Sequence, residues 1–259
     1  MNALFVLAVI LFILMILVGG KKGARSFIAI FLNFSVLFLT ILFMLDPQVN
    51  PIILTLVACA VISCINLFYV NEVNIKTKTA LAATVISTSI LLLFIFVIVK
   101  NAMIHGFGRE EIEEVPLYTL YIGVDFVKVA TSVIIMSTIG AIIDIAISIT
   151  SPMREIYTHH PTISRKDLFA SGMSIGRDIL GTSTNTLFFA FFGGYLTLLI
   201  WFKELSYSLG EIVNSKIFSA EMITILCAGI GVTLVIPITS WITAFYLVRN
   251  REKKEDLKT

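Results

Sequence analysis

Charge is scarce in this chain. Asp, Glu, Lys and Arg make up 14% of its 259 residues against 58% apolar, and the mean hydropathy is +0.97. That leaves too little polar surface to cover a water-soluble globule of this length. Cysteine is nearly absent: Cys59, Cys64 and Cys227 are the three. All lie in apolar runs, so neither a disulfide framework nor a C-x-x-C metal site can be built from them. No G-K-[ST] follows a Gly-rich stretch, which excludes a P-loop. No internal repeat survives a register check, which removes the sequence argument for an inverted-repeat transporter. The one sequon-like triplet, Asn33-Phe34-Ser35, sits inside an apolar run. With a net charge of +2, neither nucleic acid nor a cofactor is expected.

What is present is a series of seven apolar runs, at 3–18, 27–45, 51–70, 80–99, 126–149, 186–202 and 222–248. Each approaches the ~20 residues that cross a ~30 Å hydrocarbon core as a helix, where the backbone must satisfy its own hydrogen bonds. The expected fold is an all-α integral membrane protein of about seven transmembrane helices, in contact with the lipid bilayer. The basic residues between the runs alternate. With the N-terminus outside, fourteen of the nineteen Lys and Arg fall in cytoplasmic segments, among them Lys21, Lys22, Arg25, Lys76, Lys78, Arg154, Arg165, Lys166, Arg177 and the tail from Arg249. Lys100, Arg109, Lys203 and Lys216 fall outside, and Lys128 lies within a run. The positive-inside rule then predicts an external N-terminus, a cytoplasmic C-terminus and an odd number of crossings of a bacterial cytoplasmic membrane. The first run has its basic cluster after it, the reverse of a secretory signal, and is expected to be an uncleaved anchor.

The chain divides unequally. Residues 1–99 are expected to form a four-helix scaffold with no ionisable side chain at membrane depth. Residues 100–125 form an external acidic segment, with His105, Arg109, Glu110, Glu111, Glu113 and Glu114 followed by Tyr118 and Tyr121. Four carboxylates suit a hard cation, but no 12-residue loop with a Gly turn is present, and a solvated acidic face is the simpler reading. Residues 126–248 form a three-helix membrane region with a cytoplasmic segment at 151–185, and 249–259 is a basic tail that anchors the topology near anionic lipid.

The fifth run carries the unusual residues. Asp125 and Lys128 are three apart and are expected to form a structural pair on one helical face. Asp144 lies about five residues inside the run. A charge at the centre of a membrane helix costs about 2.5–3.5 kcal/mol on insertion scales, less near an end, so this carboxylate needs a partner, water or a proton. Ser137, Gly140, Ala141, Asp144 and Ser148 recur at spacings of three and four and form one small, polar stripe. Either it is a close helix contact in which Asp144 bonds to a neighbour, or it lines an ion or substrate path.

In the cytoplasmic segment, Ser164-Arg165-Lys166-Asp167 has the S-x-x-D form of an N-cap box, predicting a helix start. Residues 171–186 are rich in Gly and hydroxyls, with a re-entrant or surface course expected for part of them. Arg177 is the expected partner of Asp144. Enzyme motifs fail on context, and no enzyme is expected. Gly172-Met-Ser-Ile-Gly176 matches G-x-S-x-G without the strand that a nucleophile elbow needs. His159 and His160 stand beside Pro161 in a polar turn. A paired-aspartate membrane protease would need a second buried Asp in a suitable motif, which Asp178 beside Arg177 does not provide.

Gly140-Ala-Ile-Ile-Asp144-Ile-Ala-Ile-Ser148, Glu155, and Ser171-Gly-Met-Ser-Ile-Gly176-Arg177-Asp178-Ile-Leu-Gly181-Thr through Asn185-Thr186-Leu resemble the signature of the YibE/F family of bacterial multi-pass membrane proteins. The likeness is most specific over residues 140–194. It marks Asp144, Arg177, Asp178 and Asn185 as motif positions without giving them roles. Its members are described as membrane proteins or permeases, many with an external segment before the bundle, so a half-sized member is expected here. A second YibE/F-type membrane protein is the partner that the resemblance implies. The expected function is that of a permease or permease subunit for a small solute or ion. Its candidate path is Asp144, Ser148, Arg177, Asp178, Asn185 and Thr186, with Asp144 as the ion-binding or proton-accepting carboxylate and Arg177 as its counter-charge. The competing expectation is a non-transporting scaffold or assembly partner.

Overall fold

Apolar runs that cannot satisfy their backbone polar groups from lipid fold as helices, and helices are the regular structure throughout the described residues. The computed structural model describes residues 3–102, 104 and 125–256. The acidic cluster from Arg109 to Glu114, with His105, Tyr118, Tyr121 and the end of the tail at Lys258, lies outside them. The order is α1 (Ala3–Met44), α2 (Pro51–Cys64) continued by a π-helical turn (Ile65–Val70), α3 (Ile75–Ala102), α4 (Phe126–His159), α5 (Arg165–Gly194), α6 (Leu196–Glu204), α7 (Leu209–Asn214) and α8 (Lys216–Asp256). Five helices are long and apolar enough to cross a membrane, or six if the bent pair α5–α6 is one span.

The first two expected spans share α1, which breaks at Gly20. Its φ of 54° and ψ of −135° are conformations open to glycine and strained for other residues. The two legs fold back on one another: the rings of Phe12 and Phe27 are 4.8 Å apart, where a straight helix would separate those residues by roughly 22 Å at 1.5 Å per residue. A side chain at Gly23 would collide with the Met15 carbonyl.

Helix ends follow local chemistry. The Asn50 side chain accepts from the Ile52 N–H at 3.0 Å, with Pro51 at the first helical position. The expected cap at Ser164 is formed: its Oγ accepts from the Asp167 N–H at 3.1 Å and donates to the Asp167 carboxylate at 2.7 Å. The segment 151–185 is helical over most of its length: it is the continuation of α4 to His159, a short turn, and the first two-thirds of α5. With α6, α5 is either a broken span or a re-entrant pair.

The core runs along α4 and α8, with α3 and α5 packed at their sides. Ile135, Ile139, Ile142, Ala146, Ile149 and Met153 form the buried stripe of α4 at three- and four-residue spacing. Close approach depends on glycines. Gly231 of α8 stands against Ile142 and Leu91, Gly172 of α5 against Met153 and Ser240, and Gly176 against Ile236. At the α5–α6 bend of 52°, the Tyr195 hydroxyl donates to the Glu221 carboxylate at 2.7 Å and ties the bend to α8. The outer surface is strongly apolar, with Leu4, Phe34, Leu93 and many others exposed, as expected of a lipid-facing surface and not of a soluble monomer.

Basic residues gather at one end. Lys21, Lys22, Arg25, Lys76 and Arg154 line one cavity there, with Arg25 paired to Glu72 at 2.7 Å. Arg165 and Arg249 both stack on Phe245.

Candidate functional site

Asp144 opens into a cavity of about 320 Å³ at membrane depth. Three elements build its wall. The second leg of α1 contributes Ser26, Ala29, Ile30 and Asn33, a three-and-four spacing that puts them on one face. The π turn contributes Asn66, the residue that ends it contributes Asn71, and α4 contributes Gly140 and Asp144. In an α-helix Asn66 and Asn71 would point about 140° apart, at 100° per residue. The wider i→i+5 winding brings them to one wall, a geometry often found at functional sites.

The amides form a short chain of hydrogen bonds. Asn33 Nδ2 donates to Asn66 Oδ1 at 2.9 Å, and Asn71 Nδ2 donates to the Asn66 carbonyl at 2.9 Å. Asn33 Oδ1 is buried and accepts no hydrogen bond from the described residues. The Asp144 carboxylate is exposed to the cavity and likewise has no hydrogen bond or ion pair with any described residue. Opposite Gly140 nothing stands within 4 Å of where a Cβ would be. No helix among the described residues makes a close contact at Gly140.

The stripe itself is split. Gly140 and Asp144 line the cavity. Ser137 lines a separate apolar pocket with Leu37, Met44 and Phe126, and Ser148 is exposed one turn beyond Asp144, toward the basic end. The expected partnership of Asp144 with Arg177 is not formed: Arg177 makes no ion pair with a described residue and does not line the cavity. Arg177, Asp178, Asn185 and Thr186 are all exposed on α5. Gly172 and Gly176 fix the opposite face of that helix against its neighbours. Asp125 and Lys128 do meet, at 3.2 Å, and Asp125 also caps α4, accepting from the N–H groups of Val127 and Lys128.

Asn33, Asn66 and Asn71 come from the region expected to be plain scaffold. The available signal was the amides of Asn33 and Asn66 within otherwise apolar runs, where a polar side chain needs a reason. Chemically the cavity offers one carboxylate and several amide oxygens. Among the described residues no three His, Cys, Asp or Glu converge, so this donor set suits a monovalent cation, an ammonium group or a proton better than a divalent metal.

A family model described as YibE/F-like protein matches residues 7–249. The chain belongs to the YibE/F-like family. That span contains every residue of the cavity and the whole outward face of α5. No curated protein and no solved structure matches the chain.

Proposed function

We propose that this YibE/F-like protein is a permease, or the subunit of one, and that Asp144 with Asn33, Asn66 and Asn71 binds a monovalent cation or a small polar solute carrying an amine. The observation that carries this reading is the unpaired Asp144 carboxylate in an open, amide-lined cavity at membrane depth. An intramembrane carboxylate without a protein partner is stabilised by water, by a proton or by a bound cation. At roughly 30 Å³ per water the cavity has room for about ten waters or one small solute. On this reading the two legs of α1 are separate crossings and α5–α6 is a single bent one, giving seven in the bacterial cytoplasmic membrane. The gathered basic end then faces the cytoplasm, with the N-terminus outside and the C-terminus inside.

The test is a thermal-stability screen of purified protein against Na⁺, K⁺, ammonium, amines and pH, beside Asp144→Asn. A ligand that binds only the folded state raises its stability by mass action, about 2.7 kcal/mol at a hundredfold excess over Kd. Stabilisation of the wild type that disappears in Asp144→Asn, followed by uptake of the same solute into liposomes, is the expected result. Identical responses of the two proteins to every condition would remove Asp144 from any binding role. The outward polar face of α5 favours a second reading, that of an assembly partner in a larger membrane complex.

A further inference from the structure

We propose that the outward face of α5 is the surface on which two copies of this chain associate within the bilayer. Ser174, Asp178, Gly181 and Asn185 recur at spacings of four, three and four, the a/d rhythm of a helix–helix seam, and all four are exposed. Arg177 borders this stripe and is exposed too. The other side of α5 is already occupied, by Leu168, Gly172 and Gly176 packed on the bundle.

Charge argues against this face as a lipid-facing surface. Gly176 abuts Ile236, and Gly172 one turn earlier abuts Met153, just past the end of the apolar run 126–149, so Arg177 and Asp178 stand roughly one to two turns inside the basic end of the bundle. A charge costs about 2.5–3.5 kcal/mol at the centre of a lipid-exposed helix and less toward an end. Neither has a hydrogen bond or ion pair with a described residue. An Arg side chain can extend toward the interface, but a short Asp side chain cannot.

Charge complementarity selects the occupant. Two copies inserted the same way are related by an axis along the membrane normal, so equivalent helices run parallel and equivalent residues meet at equal depth. The face carries one cation and one anion in adjacent positions. Under that symmetry Arg177 of each copy lies level with Asp178 of the other, which neutralises both pairs at once. Asn185 meets its own counterpart, and an amide both donates and accepts. Ser174 and Gly181 are small enough for close backbone approach, and nothing lies within 4 Å of a Cβ placed at Gly181.

The proposal concerns a different surface from the Asp144 cavity, so the two can fail separately. The test is oxidative cross-linking of variants with one introduced cysteine in native membranes, in the full chain carrying Cys64→Ser, since Cys64 is exposed while Cys59 and Cys227 are buried. Gly181→Cys and Asn185→Cys are expected to give a disulfide-linked homodimer. Leu93→Cys, on an exposed position of α3, is the control and is expected to stay monomeric. With Gly181→Cys as reporter, Arg177→Asp and Asp178→Arg are each expected to lower cross-linking at least tenfold. The double exchange, which restores a cation beside an anion, is expected to recover it. The Gly181→Cys result with native charges stands even if a single charge variant fails to accumulate. Absence of a homodimer at both 181 and 185, a cross-link to a different chain, or equal cross-linking of the Leu93 control would overturn the proposal.

Discussion

Replacing Asp144 with leucine should make this protein more stable, and the sign of that change separates the two meanings of the residue. Asp144 has no protein partner and faces an amide-lined cavity. On insertion scales Asp costs about 2.5–3.5 kcal/mol at a helix centre and Leu gains about 0.3–0.6, so the exchange is worth at most about 3–4 kcal/mol. The position is off-centre and the carboxylate reaches the cavity, which reduces the gain. We expect Asp144→Leu to raise stability by about 1–2 kcal/mol, while Asp144→Asn changes it by less than about 1 kcal/mol. If Asp144 instead held a buried partner, removing it would strand that partner and cost about 3–5 kcal/mol. The assay is a reversible SDS-unfolding titration in mixed micelles for wild type, Asn and Leu variants, beside binding of the cation found by screening. A Leu variant destabilised by 3 kcal/mol or more would refute the description of Asp144 as unpaired and return the polar stripe to a packing role. A more stable Leu variant that no longer binds is the signature of a site held at the expense of stability.

The glycines offer a contrast within the same scaffold. Gly176→Val should destabilise by about 1–3 kcal/mol, because its side chain meets the β-branched Ile236; Gly140→Ala, facing open space in mid-helix, should stabilise by about 0.5–1 kcal/mol. Both are read from the same SDS titration, and equal effects would contradict the packing assigned to them. Asp125→Ala should cost about 1 kcal/mol through loss of the α4 cap, and Asp125→Asn should keep most of the cap. The Asp125 carboxyl feels slight burial, which opposes ionisation. The Lys128 side chain and the N–H groups of Lys128 and Val127 outweigh it and hold the group below the usual carboxylate range. Its contribution is therefore present above the unfolded value near ~3.9 and lost as pH falls through the lower folded value. A melting series taken below about pH 4 should show that loss in wild type and not in Asp125→Asn.

Hydropathy and caps were legible in the sequence because they are local. The all-helical membrane architecture follows from the apolar runs, the start of α5 from Ser164 and Asp167, and Asp144 from the cost of a carboxylate at its position. The cavity was only half legible. Its α4 wall was found by three-and-four spacing, but Asn66 and Asn71 share a wall only because the chain winds as a π turn after Cys64, and a 3.6-residue period places them apart. The Arg177 partnership failed for a related reason. Residues 171–186 are rich in Gly and hydroxyls yet nearly as apolar as a span, so hydropathy fixes neither their course nor their helical phase. That phase, set by Gly172 and Gly176 against α8 and α4, turns Arg177 and Asp178 outward.

The lining limits what the Asp144 cavity can be. Its volume of about 320 Å³ is partly open, and nothing stands in the way of a larger side chain at Gly140. The lining mixes a carboxylate, three amides and a hydroxyl with apolar side chains such as Ile30, Leu67 and Ile143, and its polar part is the kind of surface that holds water with two to four hydrogen bonds each. On the proposed reading, water in the cavity would keep the Asp144 carboxylate solvated without a protein counter-charge, and an entering cation would exchange its own hydration for the carboxylate and the amide oxygens. Gly140→Leu fills that space without disturbing the buried stripe of α4. It should therefore abolish cation-dependent stabilisation while leaving unfolding in the absence of ligand as cooperative as in wild type. Retained binding in that variant would mean that the solute binds elsewhere.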